Sequence, residues 1–164
     1  MIRSIISAVA LALVFVNLAS AQQTAAATNS VASDQDIQLL RKDLQSARKQ
    51  IVAANMMLSD NEAQKFWPVY DSYTAEATKI NDAKVSVIKD YAANYRNMTD
   101  AKAETLVKRW GDADESAIQL RTKYFPKFQQ VISATKAARF FQIDRRISML
   151  VDLQVASEVP LVEP

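Results

Sequence analysis

Apolar residues recur at helical spacing over most of the chain. Between residues 34 and 58 they alternate three and four positions apart, which places them in one stripe along a helix. The stripe consists of Ile37, Leu40, Leu44, Ala47, Ile51, Ala54 and Leu58. The pattern predicts a first helix from about Asp34 to Met57, and we expect this stripe to face the core.

Three further helices are predicted from their start signals. Ser59 and Glu62 form a capping box before the second helix, which extends to about Arg96. The third and fourth helices begin at Thr99 and Ser133, and Pro160 lies just beyond the end of the fourth. The residues expected to face the core are Phe66, Tyr70 and Tyr73, then Leu106, Trp110 and Leu120, and finally Phe140, Ile143, Ile147 and Leu150.

The composition favours helix throughout. The chain has one glycine and four prolines in 164 residues, and hairpin turns depend on glycine. Pro68 and Pro126 fall inside predicted helices, where each should bend the helix. We therefore predict an all-α fold over residues 34–164, a four-helix elongated hairpin or bundle with long proline-kinked helices.

The N-terminus has the three parts of a secretory signal peptide. Arg3 supplies the positive charge, an apolar stretch follows over residues 5–18, and Ala19-Ser20-Ala21 provides small residues at a cleavage site. The pattern predicts a signal peptide over residues 1–21, cleavage before Gln22, and a flexible leader over residues 22–33. An uncleaved membrane anchor is the alternative, although the apolar stretch is shorter than the about 20 residues of a spanning helix.

The residue types that most catalytic and metal sites need are missing. The chain contains neither cysteine nor histidine, so a thiol nucleophile, the commonest general base and the strongest zinc ligands are absent. Asp112 and Glu115 could together hold a hard cation, and the methionines a soft one, but a solvated face and core packing are the favoured interpretations. We expect no enzymatic activity, no cofactor and no metal.

The charge balance argues against a nucleic-acid partner. Without the predicted signal peptide the chain has 19 basic and 18 acidic residues, whereas nucleic-acid binding requires a strongly basic face. Between Thr99 and Arg146, however, the segment contains ten basic and six acidic residues, and aromatic residues lie among them. Such a surface could attract polypeptides electrostatically and retain them by apolar contact.

The candidate residues for binding clients or partners are Arg121, Lys123, Phe125, Lys127 and Arg139. The alternative is that the aromatic residues of this segment belong to the core and its basic residues to a solvated face.

Three helix starts share one pattern, an apolar residue and a hydroxyl cap with alanine four residues after the cap. They are Leu58-Ser59-x-x-x-Ala63, Met98-Thr99-x-x-x-Ala103 and Ile132-Ser133-x-x-x-Ala137. With the predicted signal peptide, this pattern resembles the bacterial periplasmic Spy/CpxP-like group, which carries LTxxQ motifs at helix starts. The stretches Phe66-Trp67-Pro68-Val69-Tyr70 and Ala138-Arg139-Phe140-Phe141-Gln142-Ile143 resemble periplasmic relatives of that group labelled as stress or heavy-metal sensors.

The resemblance implies a periplasmic stress protein that binds other proteins. One expectation is a Spy-like, ATP-independent chaperone for unfolded clients, acting through the basic and aromatic helical face. The other is an adaptor or sensor that modulates a membrane-bound signalling protein. The resemblance also implies that the chain can form a homodimer, while no membrane span is expected after signal cleavage.

Overall fold

Four α-helices form the framework of residues 34–162, the part of the chain that the computed structural model describes. They are α1 (Asp34–Met56), α2 (Asp60–Asn94), α3 (Asp100–Gln129) and α4 (Ala134–Glu158), and a 3₁₀ turn, Tyr95–Asn97, separates α2 from α3. The all-α prediction is confirmed, and the helix limits fall close to those expected. The predicted signal peptide and leader lie outside the described residues.

The predicted hydroxyl residues begin α2, α3 and α4. The Ser59 Oγ accepts a hydrogen bond from the Glu62 amide at 3.3 Å, and Glu62 accepts one from the Ser59 amide at 2.8 Å. Thr99 and Ser133 each accept from the amide three residues further on. These bonds satisfy amides that have no partner within the helix, which explains why the helices begin where they do.

Polar contacts between helix ends define the direction of α2 and α4. Lys136 Nζ lies 2.6 Å from Glu62 Oε2, which joins the first turns of the two helices. The Tyr91 hydroxyl donates to the Pro160 carbonyl at 2.7 Å near their other ends. The two helices therefore run in the same direction.

The other two helices run in the opposite direction. Arg139, early in α4, donates from Nε to the Asn55 carbonyl at the end of α1 at 2.7 Å. Arg109 of α3 pairs with Asp90, which lies late in α2. Helix α2 has 35 residues and α3 has 30, so they form a long antiparallel hairpin whose longer arm spans about 50 Å.

Aromatic side chains fill the core at one end of the bundle. Phe128 and Phe140 lie at its centre, with ring centroids 4.5 Å apart. The buried aromatic residues are Phe66, Tyr70 and Tyr73 of α2, Tyr124 and Phe128 of α3, and Phe140 of α4. We refer to these six residues as the aromatic core. Aromatic pairs in tilted or edge-to-face contact stabilise a core beyond their buried area.

The core-facing side of α1 differs from the prediction. Val52 and Met56 are buried and pack into the aromatic core, whereas Leu44 and Ile51 remain 47% and 41% exposed. Ala47 and Ala54 are also exposed. The expectation that this stripe faces the core is therefore wrong for these four residues, because α1 instead turns inward the face that carries Val52 and Met56.

Most of the other predicted core positions are correct. Ile143 and Ile147 pack against the core, but Leu150 of α4 is 62% exposed. The Ile37 and Leu40 side chains lie outside what the structure describes. Among the described residues, those from 39 to 162 belong to one compact unit, and the site below lies within it.

Candidate functional site

Two of the predicted binding residues flank the same tyrosine on α3. Lys123 Nζ lies 2.6 Å from Glu76 Oε2, and the Tyr124 hydroxyl donates to Glu76 Oε1 at 2.7 Å. Lys127 Nζ lies 4.2 Å from the Tyr124 ring centroid. The neighbouring lysines lower the pKa of the Glu76 carboxyl through hydrogen bonding and charge. Lys123 and Lys127 are thus both exposed, and Lys123 is held in an ion pair with Glu76 of α2.

The other three predicted residues lie elsewhere. Arg121 is mostly buried, with Nε 3.8 Å from Asp144 Oδ2. Phe125 is half-buried beside Phe141, with ring centroids 6.0 Å apart. The Arg139 side chain donates a hydrogen bond to the Asn55 carbonyl at the end of α1. The five residues thus contact different parts of the bundle and do not come together in one described site.

The aromatic residues of the same segment belong largely to the interior. Tyr124, Phe128 and Phe140 are buried, and Phe125 and Phe141 are partly buried against them. These positions match the alternative in which the segment combines core aromatics with solvated basic residues.

A large apolar groove lies along the bundle beyond the aromatic core. It has a volume of about 940 Å³ and is lined by residues of all four helices. Its apolar lining includes Val85 and Ile88 of α2, Leu106 and Trp110 of α3, and Val151 and Val155 of α4. Ligand sites in proteins are typically concave and apolar and reach similar volumes. We refer to this feature as the apolar groove.

Small side chains of α2 contribute to the open space of the groove. Helix α2 presents Phe66 and Tyr73 at the aromatic core but Thr74, Ala77 and Thr78 where the groove begins. Protein interiors are normally close-packed because side chains fill the space between elements. Small side chains cannot fill the space between helices that stay apart, so a cleft remains. The same helices therefore form a filled core at one end and an open cleft at the other.

Helix α1 provides a polar wall of the groove. Lys49 Nζ lies 2.8 Å from Asp71 Oδ1, and Gln45 Nε2 donates to Thr78 Oγ1 at 3.3 Å. On the opposite wall, Lys84 forms an ion pair with Asp114 and lies over the Trp110 ring, 5.2 Å from its centroid. The groove thus combines an apolar lining with a charged rim.

A buried polar cluster borders the groove on the side of the aromatic core. Asp144 is 3% exposed and accepts a hydrogen bond from the Tyr73 hydroxyl at 2.8 Å. Arg48 and Arg121 approach its carboxylate to 3.8 Å from two other helices. Arg48 also donates to Ser148 Oγ at 2.8 Å, and Arg48 and Ser148 line the groove.

Burial controls the ionisation of the tyrosines in this region. Burial raises the pKa of Tyr70 to about 12. The pKa of Tyr73 is raised further, first by burial and then by the neighbouring Asp144 charge. Both hydroxyls therefore stay protonated at physiological pH, and Tyr73 acts as a donor to Asp144.

Sequence reasoning missed the groove, although two signals for it were present. The apolar stripe of α2 shifts to Val85 and Ile88 beyond Lys84. In α4, six of the nine residues from Ile147 to Val155 are apolar, and they occupy more than one face of the helix. A helix with apolar residues on more than one face usually buries more than one face, so the second face could have been assigned to a binding site.

Within residues 34–162, no helix has both the length and the apolarity that crossing a membrane requires. In the same part of the chain, no three His, Cys, Asp or Glu side chains come together as potential metal ligands. Comparisons with protein-family models, curated proteins and solved structures returned no match.

Proposed function

We propose that this protein binds apolar segments of other polypeptides in the apolar groove and acts as an ATP-independent periplasmic chaperone. The observation that carries the proposal is the groove itself, a cleft of about 940 Å³ between helices that the protein's own side chains leave open. Amphipathic segments commonly bind by placing their apolar face in such a groove.

The lining suits clients of varied sequence. Val151 and Val155 supply aliphatic surface, and Trp110 and Tyr91 supply flat aromatic surface. Contacts of this kind are non-directional and depend mainly on the apolar area removed from water. A client therefore needs an apolar stretch, and its exact sequence matters less.

The charged rim of the groove favours an alternative function, the binding of one specific partner. The Lys49–Asp71 and Lys84–Asp114 ion pairs hold charged side chains in defined positions beside the groove. Fixed polar groups around an apolar pocket favour one orientation of one ligand. An adaptor that binds a single segment of a signalling protein would use the same groove in this way.

The proposal is tested by measuring whether the purified protein slows aggregation of several unrelated, chemically denatured clients without ATP. Val151→Asp places a charge in the groove wall and should strongly reduce this protection. Leu153→Asp is the matched control, because Leu153 lies on the same helix but is 69% exposed and outside the groove lining. This variant should protect clients as well as the unmodified protein.

Trp110 offers an independent readout because it lines the groove. In a Trp67→Phe background it becomes the sole tryptophan, since the chain contains two. Client binding should shift its fluorescence to shorter wavelength as water leaves the ring. If all clients aggregate equally fast with and without the protein, the chaperone proposal is wrong and the adaptor becomes the leading hypothesis.

A further inference from the structure

Helix α4 carries a second apolar cluster outside the apolar groove. Met149, Leu150 and Leu153 are 57%, 62% and 69% exposed, and none of them lines the groove. Leu153 follows Met149 by four residues and Leu150 by three, so the three side chains are neighbours on the helix surface. Single exposed apolar residues are normal on a protein, whereas a cluster of them marks an interaction site.

Two arginines extend this cluster towards the start of α4. Arg145 lies one helical turn before Met149, and Arg146 lies one turn before Leu150. Both arginines are exposed, and neither side chain forms an ion pair or a hydrogen bond with another described residue. We refer to Arg145, Arg146, Met149, Leu150 and Leu153 as the outer α4 face.

The outer α4 face combines positive charge with apolar surface. The only acidic residue between Arg145 and Leu153 is Asp152, and Asp152 lines the apolar groove on another side of the helix. Arginine binds phosphate oxygens through parallel N–H donors. Its apolar stem can lie along hydrocarbon while the guanidinium remains in a polar layer. The face therefore complements an anionic lipid surface in both charge and polarity.

The shape of the face favours lipid over a protein partner. Its five residues project from the outside of one helix and form a convex surface, whereas a stable protein interface uses about 20–30 residues from each partner. A fluid lipid surface adapts to a convex helix, and helices that lie in the membrane interface combine basic residues with apolar ones such as leucine.

From these observations we propose that the outer α4 face binds an anionic lipid surface. Met149, Leu150 and Leu153 enter the headgroup region, and the two arginines pair with lipid phosphates. Residues two positions apart lie about 200° apart around a helix, so the groove-lining Val151 and Val155 are nearly opposite Leu153. Lipid binding therefore leaves the groove side of α4 uncovered, and the inference does not depend on the proposed client binding.

Sedimentation with lipid vesicles tests the surface. The purified protein should bind phosphatidylglycerol vesicles, less strongly as salt rises, and should not bind phosphatidylcholine vesicles. Leu153→Asp should weaken anionic binding about tenfold or more, because an aliphatic side chain no longer leaves water. Replacing Arg145 and Arg146 with glutamine should weaken it about 30-fold, at about fivefold for each positive charge near an anionic surface. Leu153→Asp should lose lipid binding but keep client protection, whereas Val151→Asp should do the reverse.

Matched controls place the same changes elsewhere on the protein. Ile118→Asp introduces a carboxylate on α3 at a position that is 62% exposed, as Leu150 is, and Val151→Asp introduces one on the groove side of α4. Replacing Lys65 and Lys79 with glutamine removes two positive charges from exposed positions of α2. These three variants should bind anionic vesicles nearly as well as the unmodified protein.

Three results of these measurements would overturn the proposal. They are no binding to phosphatidylglycerol, equal binding to both lipids, and equal losses in the controls and in the variants of the outer α4 face. Any of them would assign the face to a protein partner instead.

A fluorescent label tests which side of the protein meets the lipid. The chain has no cysteine, so Leu150→Cys and Ile118→Cys each provide one site for a polarity-sensitive fluorophore. On phosphatidylglycerol vesicles, the emission of the label at position 150 should shift to shorter wavelength, and that of the label at position 118 should not change. Equal shifts at both positions, or a shift at position 118 alone, would refute the outer α4 face as the lipid-binding surface.

Discussion

Replacing Tyr73 with phenylalanine should destabilise the protein through a single lost hydrogen bond. The Tyr73 hydroxyl donates to Asp144 Oδ2 at 2.8 Å, and both side chains are 3% exposed. Tyr73→Phe keeps the ring that contacts Tyr124 and Phe140 and removes only the hydroxyl. The variant therefore separates hydrogen bonding from packing.

The expected magnitude follows from the charge and burial of the acceptor. Hydrogen bonds to charged groups contribute about 1.5–3 kcal/mol, and loss of one leaves a buried acceptor short of a donor. Arg48 and Arg121 remain 3.8 Å from the Asp144 carboxylate, beyond hydrogen-bond distance. Tyr73→Phe should accordingly lower the free energy of unfolding by about 1.5–3 kcal/mol.

Urea unfolding followed by far-UV circular dichroism measures this loss as a lower midpoint at an unchanged slope. Tyr91→Phe is the matched control, because the Tyr91 hydroxyl donates to the Pro160 carbonyl at an exposed site. Its effect should stay within about 0.5 kcal/mol, as for other surface changes. A double-mutant cycle with Asp144→Asn should give a coupling energy of about 0.5–3 kcal/mol. Equal, small effects of Tyr73→Phe and the control would refute the reasoning.

Three further predictions address the core, the helix cap and the groove, and a fourth the N-terminus. Phe140→Ala should cost about 3–5 kcal/mol in urea unfolding, since Phe140 is fully buried, and a loss below 1 kcal/mol would contradict the described core. Lys136 and the helix cap lower the pKa of Glu62 from 4.5 to about 2. Its stabilising effect should be complete above pH 4.5 and disappear towards pH 2, and Glu62→Gln should weaken that pH dependence; an unchanged profile would contradict this. Trp110→Ala should cost about 1–2 kcal/mol because Trp110 is half-buried; a loss comparable to that of Phe140→Ala would mean that the groove is closed in solution. Intact-mass measurement of exported protein should show a chain beginning at Gln22, and retained Met1 in a membrane fraction would contradict cleavage.

Local sequence rules were sufficient to predict the four helices of the described residues. Capping residues such as Ser59 act on amides within their own first turn, so their effect can be derived from a few neighbouring residues. The stripes of α2 and α3 also predicted buried residues such as Phe66, Tyr70 and Leu120, because large apolar side chains at helical spacing leave little choice of core face. Proline does not end a helix by itself, and α2 and α3 continue through Pro68 and Pro126.

The candidate site was harder to predict from the sequence than the helices were. Basic and aromatic residues that are neighbours in the chain, such as Lys123 and Phe125, point to different surroundings once the helix is packed. Their exposure depends on residues from other helices, including Glu76 and Phe141. The apolar groove likewise results from distances between helices, which no single periodic pattern encodes.

The sequence alone determined that the described residues form four helices, three of which begin at hydroxyl caps, because propensity, spacing and capping act over one or two turns. It did not determine the orientation of α1, whose stripe of Leu44 and Ile51 satisfies the same spacing rule as a buried face. Tertiary structure decided that orientation, because Val52 and Met56 fill the aromatic core while Arg48 reaches the buried Asp144. The physical reason is that periodicity identifies apolar faces, whereas packing against other helices decides which face becomes buried.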